Sequence, residues 1–256
     1  MAERNVILDQ EIPYEQFMLL GFNRKSILEL PKEVLDPLYS GEVTPILQSR
    51  IQTANGNVYN VPMKLQLVRD ANRQVQLMAL PLRKEIYNTL HLKPGELEQV
   101  AQGEVIRKEI LGKDGTRRRK YIQLDTETKS LIYRDAAAVQ VASKLKDMEK
   151  IKDIELGTNQ KQAAQEGKPV ELNVGQEKVT VGVDLHEPQG FKVVNGDMEE
   201  WKRQTAIRYD REHPEYMGYV QTDENRWEYR QLQLQYQSNR LIEEPRKDQK
   251  SNGLKL

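Results

Sequence analysis

The stretch LPKEVLDPLYSGEV, Leu30 to Val43, returns twice in altered form, as LKPGELEQVAQGEV over Leu92 to Val105 and as LGTNQKQAAQEGKP over Leu156 to Pro169. In each copy a leucine (Leu30, Leu92, Leu156) stands eleven residues before a glycine (Gly41, Gly103, Gly167), and the glycines are 62 and 64 residues apart. A charged residue follows (Glu42, Glu104, Lys168), and an extended run begins. A period of this size marks a reused supersecondary unit, and such a repeat decides architecture before any single residue does. Eleven residues hold a helix of about two to three turns. Glycine ends it because only glycine enters the left-handed region without steric cost.

Outward from each glycine lie three strand-like runs. In the first copy they are Ile46–Thr53, Val58–Arg69 and Gln74–Leu80, broken at Asn55-Gly56-Asn57 and Asp70-Ala71-Asn72. In the second they are Glu104–Leu111, Arg117–Leu124 and Ser130–Tyr133, broken at Lys113-Asp114-Gly115 and Asp125–Thr128. In the third they are Val170–Val174, Lys178–Leu185 and Gly190–Val194, broken at Gly175-Gln176-Glu177 and His186–Gln189. Asn-Gly and Asp-Gly between alternating runs are strong hairpin signals. The expected unit is a helix followed by a three-stranded antiparallel meander. One face of such a meander must be covered by its helix or by a neighbouring unit.

The remaining segments give an α+β chain with six regions. Residues 1–92 hold N-terminal helices and the first meander unit, behind a leader over 1–10 expected to be mobile. Within them, Ile12–Leu20 has helical apolar spacing, Gly21 stops it, and Asn23 can cap a second short helix. A helix-turn-helix is the rarer account of this stretch; a helical cap on the following sheet is the plainer one. Residues 93–135 form the second unit and 136–155 a connector helix with a stripe at Val139, Ala142, Leu145, Met148 and Ile151. Residues 156–195 form the third unit. Residues 196–237 form an aromatic-rich helix and hairpin that carries both tryptophans, Trp201 and Trp227, expected to face each other in its core. Residues 238–256 are polar and proline-broken, a disordered tail by composition.

Composition narrows the function. Hydrophobic residues make up 38% and charged residues 30% of 256, which suits small modules with much surface better than one large enzyme core. With 39 basic and 39 acidic residues the net charge is zero, so any electrostatic role must come from local clustering. The absence of cysteine excludes disulfides, thiolate catalysis and thiolate metal sites, and favours a reducing compartment. Met1–Gln10 lacks the apolar core of a signal peptide, and no run is long and apolar enough to cross a membrane. A cytoplasmic protein with no membrane contact is expected.

One cluster stands out. Arg107–Lys120 (RKEILGKDGTRRRK) carries Arg107, Lys108, Lys113, Arg117, Arg118, Arg119 and Lys120 against Glu109 and Asp114, and Tyr121 follows. A basic β-ribbon can lie along a nucleic-acid backbone, with arginine forks on its phosphates. These eight positions, Tyr121 included, are the candidate nucleic-acid-binding residues. A charged hairpin that guards a sheet edge against aggregation is the plainer account of the same residues. The C-terminal aromatics likewise suit a stacking platform for bases, or, more commonly, the core of a small element. Catalytic groupings are thin. Asp184, His186 and Glu187, and Asp210, His213 and Glu215, lie close in sequence, but neither set has the spacing that puts two ligands on one helical face. No catalytic residue, metal site or cofactor is assigned, and a metal-dependent hydrolase is kept as the remote alternative.

The repeat also carries a resemblance. QxxxGE followed by VIRKEI, a KDG turn and KYIQLDTETKSLIY resembles uncharacterised repeat domains of conjugative and mobilisable elements of Bacteroides-type bacteria. There, such domains of unknown function stand beside, or fused to, type IA DNA topoisomerases. The first unit, with IPYEQFMLLGF, LPKEVLDPLYSGEVTPIL and LQLVRD, resembles the N-terminal member of a pair of such domains. The third, QAAQEGKPVELNVGQEKVTVGVDL, is similar to the short tandem repeat of the second member. The resemblance rests on pattern and transfers no functional residue. It implies a non-enzymatic accessory protein of a mobile element: an adaptor on DNA, gripped non-specifically by its backbone, or on a topoisomerase or other mobile-element protein. A protein-interaction scaffold with no DNA contact is the alternative.

Overall fold

The computed structural model describes residues 6–53, 55–112, 115–139, 156–209, 216–223 and 226–232. Three short helices come first: α1 (Tyr14–Met18), α2 (Arg24–Leu28) and α3 (Lys32–Ser40). The strands β1 (Leu47–Gln52), β2 (Val58–Arg69) and β3 (Val75–Pro81) follow, then α4 (Pro94–Ala101), β4 (Ile106–Leu111), β5 (Arg117–Asp125) and β6 (Ser130–Asp135). After α5 (Ala136–Val139) come α6 (Thr158–Glu166), β7 (Val170–Val174), β8 (Glu177–Val183) and β9 (Phe191–Asn195). The described chain closes with α7 (Met198–Tyr209), β10 (Met217–Asp223) and β11 (Arg226–Gln231). It is a mixed helix-and-strand protein with three sheets, ordered β11-β10-β1-β2-β3, β4-β5-β6 and β7-β8-β9.

Each helix that precedes a meander ends in the same way. Gly41, Gly103 and Gly167 have φ of 80°, 87° and 88°, the left-handed conformation that disfavours a Cβ. Each glycine N–H donates to the carbonyl three residues back: Leu38, Val100 and Ala164. The next N–H (Glu42, Glu104, Lys168) donates to the carbonyl five residues back: Pro37, Gln99 and Ala163. These paired bonds satisfy the helix's last carbonyls and turn the chain into the first strand. The hairpin turns hold Gly56, Gly115 and Gly175, all at positive φ.

Two main cores result. One packs Phe17, Phe22, Ile27, Val34 and Leu38 from the N-terminal helices onto Leu47, Val61, Met63, Leu65 and Leu67. The other joins the second and third meanders through Tyr121, Ile132, Leu172, Val181, Val183 and Leu185, and Leu80 of β3 belongs to it. A smaller cluster under α4 holds Leu92, Val100, Ile106, Ile122 and Leu124.

Three expectations are corrected. The expected mobile leader is pinned from residue 6 onward: Ile7 is buried and its N–H donates to the Tyr39 carbonyl at 2.8 Å. The aromatic helix and hairpin do not form one element. Helix α7 sets Trp201 over Gly182 of the third sheet, while the β10–β11 hairpin joins the first sheet, where Trp227 stacks on Phe22. Trp201 and Trp227 therefore pack into different places instead of facing each other. Finally, β6 runs two residues further than its apolar run: Arg134 and Asp135 continue the ladder opposite Tyr121 and Lys120, and the Arg134 side chain finds the Leu185 and Pro188 carbonyls. Of the connector helix only Ala136–Val139 is among the described residues; 140–155 and the tail 238–256 lie outside them, as do Asp210, His213 and Glu215.

Candidate nucleic-acid interface and a buried ionic junction

Strands β4 and β5 pair with Arg107 opposite Tyr121, Lys108 opposite Lys120, Glu109 opposite Arg119, Ile110 opposite Arg118 and Leu111 opposite Arg117. Strand alternation then divides the cations between two faces. Lys108, Arg118 and Lys120 share a face with Ile106, Ile110 and Ile122, the face that α4 covers. Arg107, Arg117 and Arg119 share the other with Glu109, Leu111 and Tyr121.

The covered face is largely neutralised. Lys108 pairs with Glu96 of α4 and donates to the His91 carbonyl at 3.2 Å. Burial alone would raise the Glu96 carboxyl, but its bonds to Lys108 and to the Lys93 N–H hold it below its ordinary value. Asp135 at the end of β6 takes both Arg118 and Lys120 at 3.8 Å, and Lys120 also lies 4.5 Å from the centre of the Tyr133 ring. On the other face Arg117 reaches Glu109 at 3.3 Å with its side chain 74% exposed. Arg107 and Arg119 are exposed and make no ion pair among the described residues. Three arginines against one carboxylate, with exposed Leu111 beside them, form the open basic surface.

Tyr121 is not part of that surface. It is 5% exposed, and its hydroxyl donates to the Gln165 carbonyl at 2.9 Å, tying the second meander to α6; burial raises its phenol. Lys113 lies outside the described residues.

A second grouping forms where the three sheets meet. The turn after β8, Asp184 to Gly190, enters between the first and second meanders, and side chains of both bond its backbone. Gln66 of β2 donates to the carbonyls of Gly41, Leu185 and His186 at 3.1 to 3.2 Å. Gln123 of β5 accepts from the Leu185 N–H at 2.7 Å. Arg134 of β6 donates to the carbonyls of Leu185 and Pro188, both at 2.9 Å. Burial brings that guanidinium down to about 10, opposed by Asp184 and Glu187, so it stays charged at neutral pH.

Ions complete the junction. His186 has Asp184 on Nδ1 at 3.0 Å and Asp125 on Nε2 at 3.2 Å. Lys64 of β2 reaches Asp125 at 3.0 Å and Glu127 at 2.6 Å. Asp125 also accepts from the Thr128 N–H at 2.8 Å and hydroxyl at 2.7 Å. Burial would raise the Asp125 carboxyl, but His186, Lys64 and the Thr128 N–H hold it well below the usual carboxylate range. Burial would lower His186, but the two aspartates raise it above its ordinary value. An imidazole with a carboxylate on each ring nitrogen has no free nitrogen to offer a substrate. The closeness in sequence of Asp184 and His186 is thus used for structure. No group of metal-binding side chains is found among the described residues.

The second partner of His186 was hidden by sequence distance: Asp125 lies on another sheet. The available signal was the pair of glutamines, Gln66 and Gln123, set inside the apolar runs LQL and IQL. A polar residue within such a run asks for a buried partner.

Residues 7–89, about one third of the chain, match a family described as "Protein of unknown function (DUF4099)". The match spans α1 to β3. No curated protein and no solved structure matches the chain.

Proposed function

We propose that the chain is a non-enzymatic, cytoplasmic accessory protein that lays the arginine face of the β4–β5 hairpin along a nucleic-acid backbone. The observation that carries this reading is the sorting of charge by strand alternation: the cations over α4 are paired, while Arg107, Arg117 and Arg119 share the other face with one carboxylate, Glu109. Arginine forks on phosphates supply affinity without sequence choice. The occupied nitrogens of His186 support the non-enzymatic part. The identical glycine caps on α3, α4 and α6 support one unit used three times. The match of residues 7–89 to a family of unknown function is compatible with the repeat domains of mobile elements that the sequence resembles, where a topoisomerase would be the neighbouring partner.

The test replaces Arg107, Arg117 and Arg119 together by Gln and compares binding of a fluorescent 20-mer duplex and its single strand with wild type at low salt. Weakening of at least tenfold for both, with unchanged thermal stability, is expected. Equal binding by the variant would shift the reading to a protein-interaction scaffold.

A further inference from the structure

The outer end of the β4–β5 hairpin is a ribbon of two strands. Strand β6 joins β5 only as far as Lys120, opposite Asp135. The β4–β5 ladder continues past that point, through Glu109 opposite Arg119, Ile110 opposite Arg118 and Leu111 opposite Arg117. This last pair puts Leu111 on the face of Arg107, Arg117 and Arg119, and there its side chain is 65% exposed. The carboxylate on that face, Glu109, is taken by Arg117 at 3.3 Å.

The other two meanders supply an internal comparison. Their first hairpins end with Gln52 opposite Val58 and with Val174 opposite Glu177. Val58 is also exposed, but a single arginine, Arg50, lies on its face. In the third meander the end pair carries a carboxylate instead, and Lys178 is held by Glu171 at 2.7 Å. Among the described residues only the second hairpin sets an exposed apolar side chain on one face with three arginines. A charged edge that merely discourages strand pairing has no use for a leucine in its midst. A nucleic acid has: phosphates take the arginines, and an opened base step takes an apolar wedge. The spacing agrees. Arg117 and Arg119 stand two residues apart on one strand, about 6.8 Å, which spans two phosphate steps of about 3.4 Å along one DNA strand.

Resting on the nucleic-acid reading above, we propose that Leu111 is a base-step wedge, and that the ligand of the arginine face is duplex DNA at a step that is unstacked or readily unstacked, such as a mismatch. Arg107, Arg117 and Arg119 hold the backbone, and Leu111 enters the opened step beside them. Opening a well-stacked step costs free energy, and a mismatched step has already lost part of its stacking and pairing. The wedge therefore selects by deformability, with no contact to a base edge and no choice of sequence.

The test uses the full chain at low salt with two duplexes of about 20 base pairs, one intact and one with a central two-base mismatch flanked by 2-aminopurine. Wild type should bind the mismatched duplex at least fivefold more tightly than the intact one, and should brighten the 2-aminopurine as the step opens. Leu111→Ser should bring that ratio below twofold and abolish the brightening, with an unchanged melting temperature because the side chain is exposed. Replacing Arg107, Arg117 and Arg119 by Gln should instead weaken binding to both duplexes. Equal binding of the two duplexes by wild type, or a preference that survives Leu111→Ser, would overturn the wedge while leaving the arginine surface in place. No binding of either duplex by wild type would overturn both.

Discussion

His186 has a carboxylate on each ring nitrogen, and its charge follows from that placement. Because its folded value is raised above the ordinary 6.5, the stability it contributes is full below that pH and is lost as pH rises through the folded value. Asp125 is lowered from 3.8, so its contribution is full above that pH and fades as pH falls through the folded value. Urea midpoints should therefore be highest in the window between, and His186→Gln should flatten the alkaline limb. A midpoint that climbs steadily from pH 6 to pH 9 would contradict a raised His186. Removing the shared anion is a second test at this scale. Asp125→Ala takes from Lys64 and His186 the carboxylate they share, leaving them Glu127 and Asp184, and should cost about 3 kcal/mol of unfolding free energy, the lower end for breaking a buried pair. None of this was legible beforehand: in sequence, Asp125 reads as the first residue of a turn, and its partners come from two other sheets.

Elements were more legible than their partners. Alternation and turn glycines located β2, β5 and β7 nearly residue for residue, because local sterics and one buried face dictate both. Asn23 and Asp197 cap their helices as their side chains suggest, bonding the Ser26 N–H at 2.8 Å and the Glu200 N–H at 3.1 Å. What alternation leaves open is which edge a strand joins, and so the C-terminal hairpin was expected to pack on α7 when it extends the first sheet instead. The helix ends make a graded prediction. Gly103→Ala should cost about 1 kcal/mol for its positive φ. Gly167→Ala should cost more in the same thermal melts, because its Cβ would also press on the Tyr121 ring at 3.2 Å. At Gly182 backbone conformation is no obstacle, but a Cβ would come 2.8 Å from the Trp201 ring and 3.1 Å from Pro169. Gly182→Val should therefore lift α7 and destabilise by about 1–3 kcal/mol, with a red shift of Trp201 emission. Emission unchanged from wild type would mean that α7 does not dock there.

At the scale of the whole molecule, three sheets meet at one turn of the third. Its carbonyls are met by Gln66 and Arg134, and its Leu185 N–H by Gln123. The second meander thus sits fixed against its neighbours with the outward face of β4–β5 left open. That arrangement suits a rigid support for an arginine surface, and no helix among the described residues is long and apolar enough to cross a membrane. The sequence overstated the surface: seven cations stand within Arg107–Lys120, but Lys108, Arg118 and Lys120 are paired on the covered side. Pattern alone could not show this, because Glu96 and Asp135 approach the hairpin only after folding. The most direct measurement is the affinity of the wild-type chain for a DNA duplex as a function of salt. Two to three phosphate contacts from Arg107, Arg117 and Arg119 predict a log–log slope of about −2 to −3. No detectable binding at about 20–50 mM salt, where screening is weakest, would contradict the nucleic-acid interface.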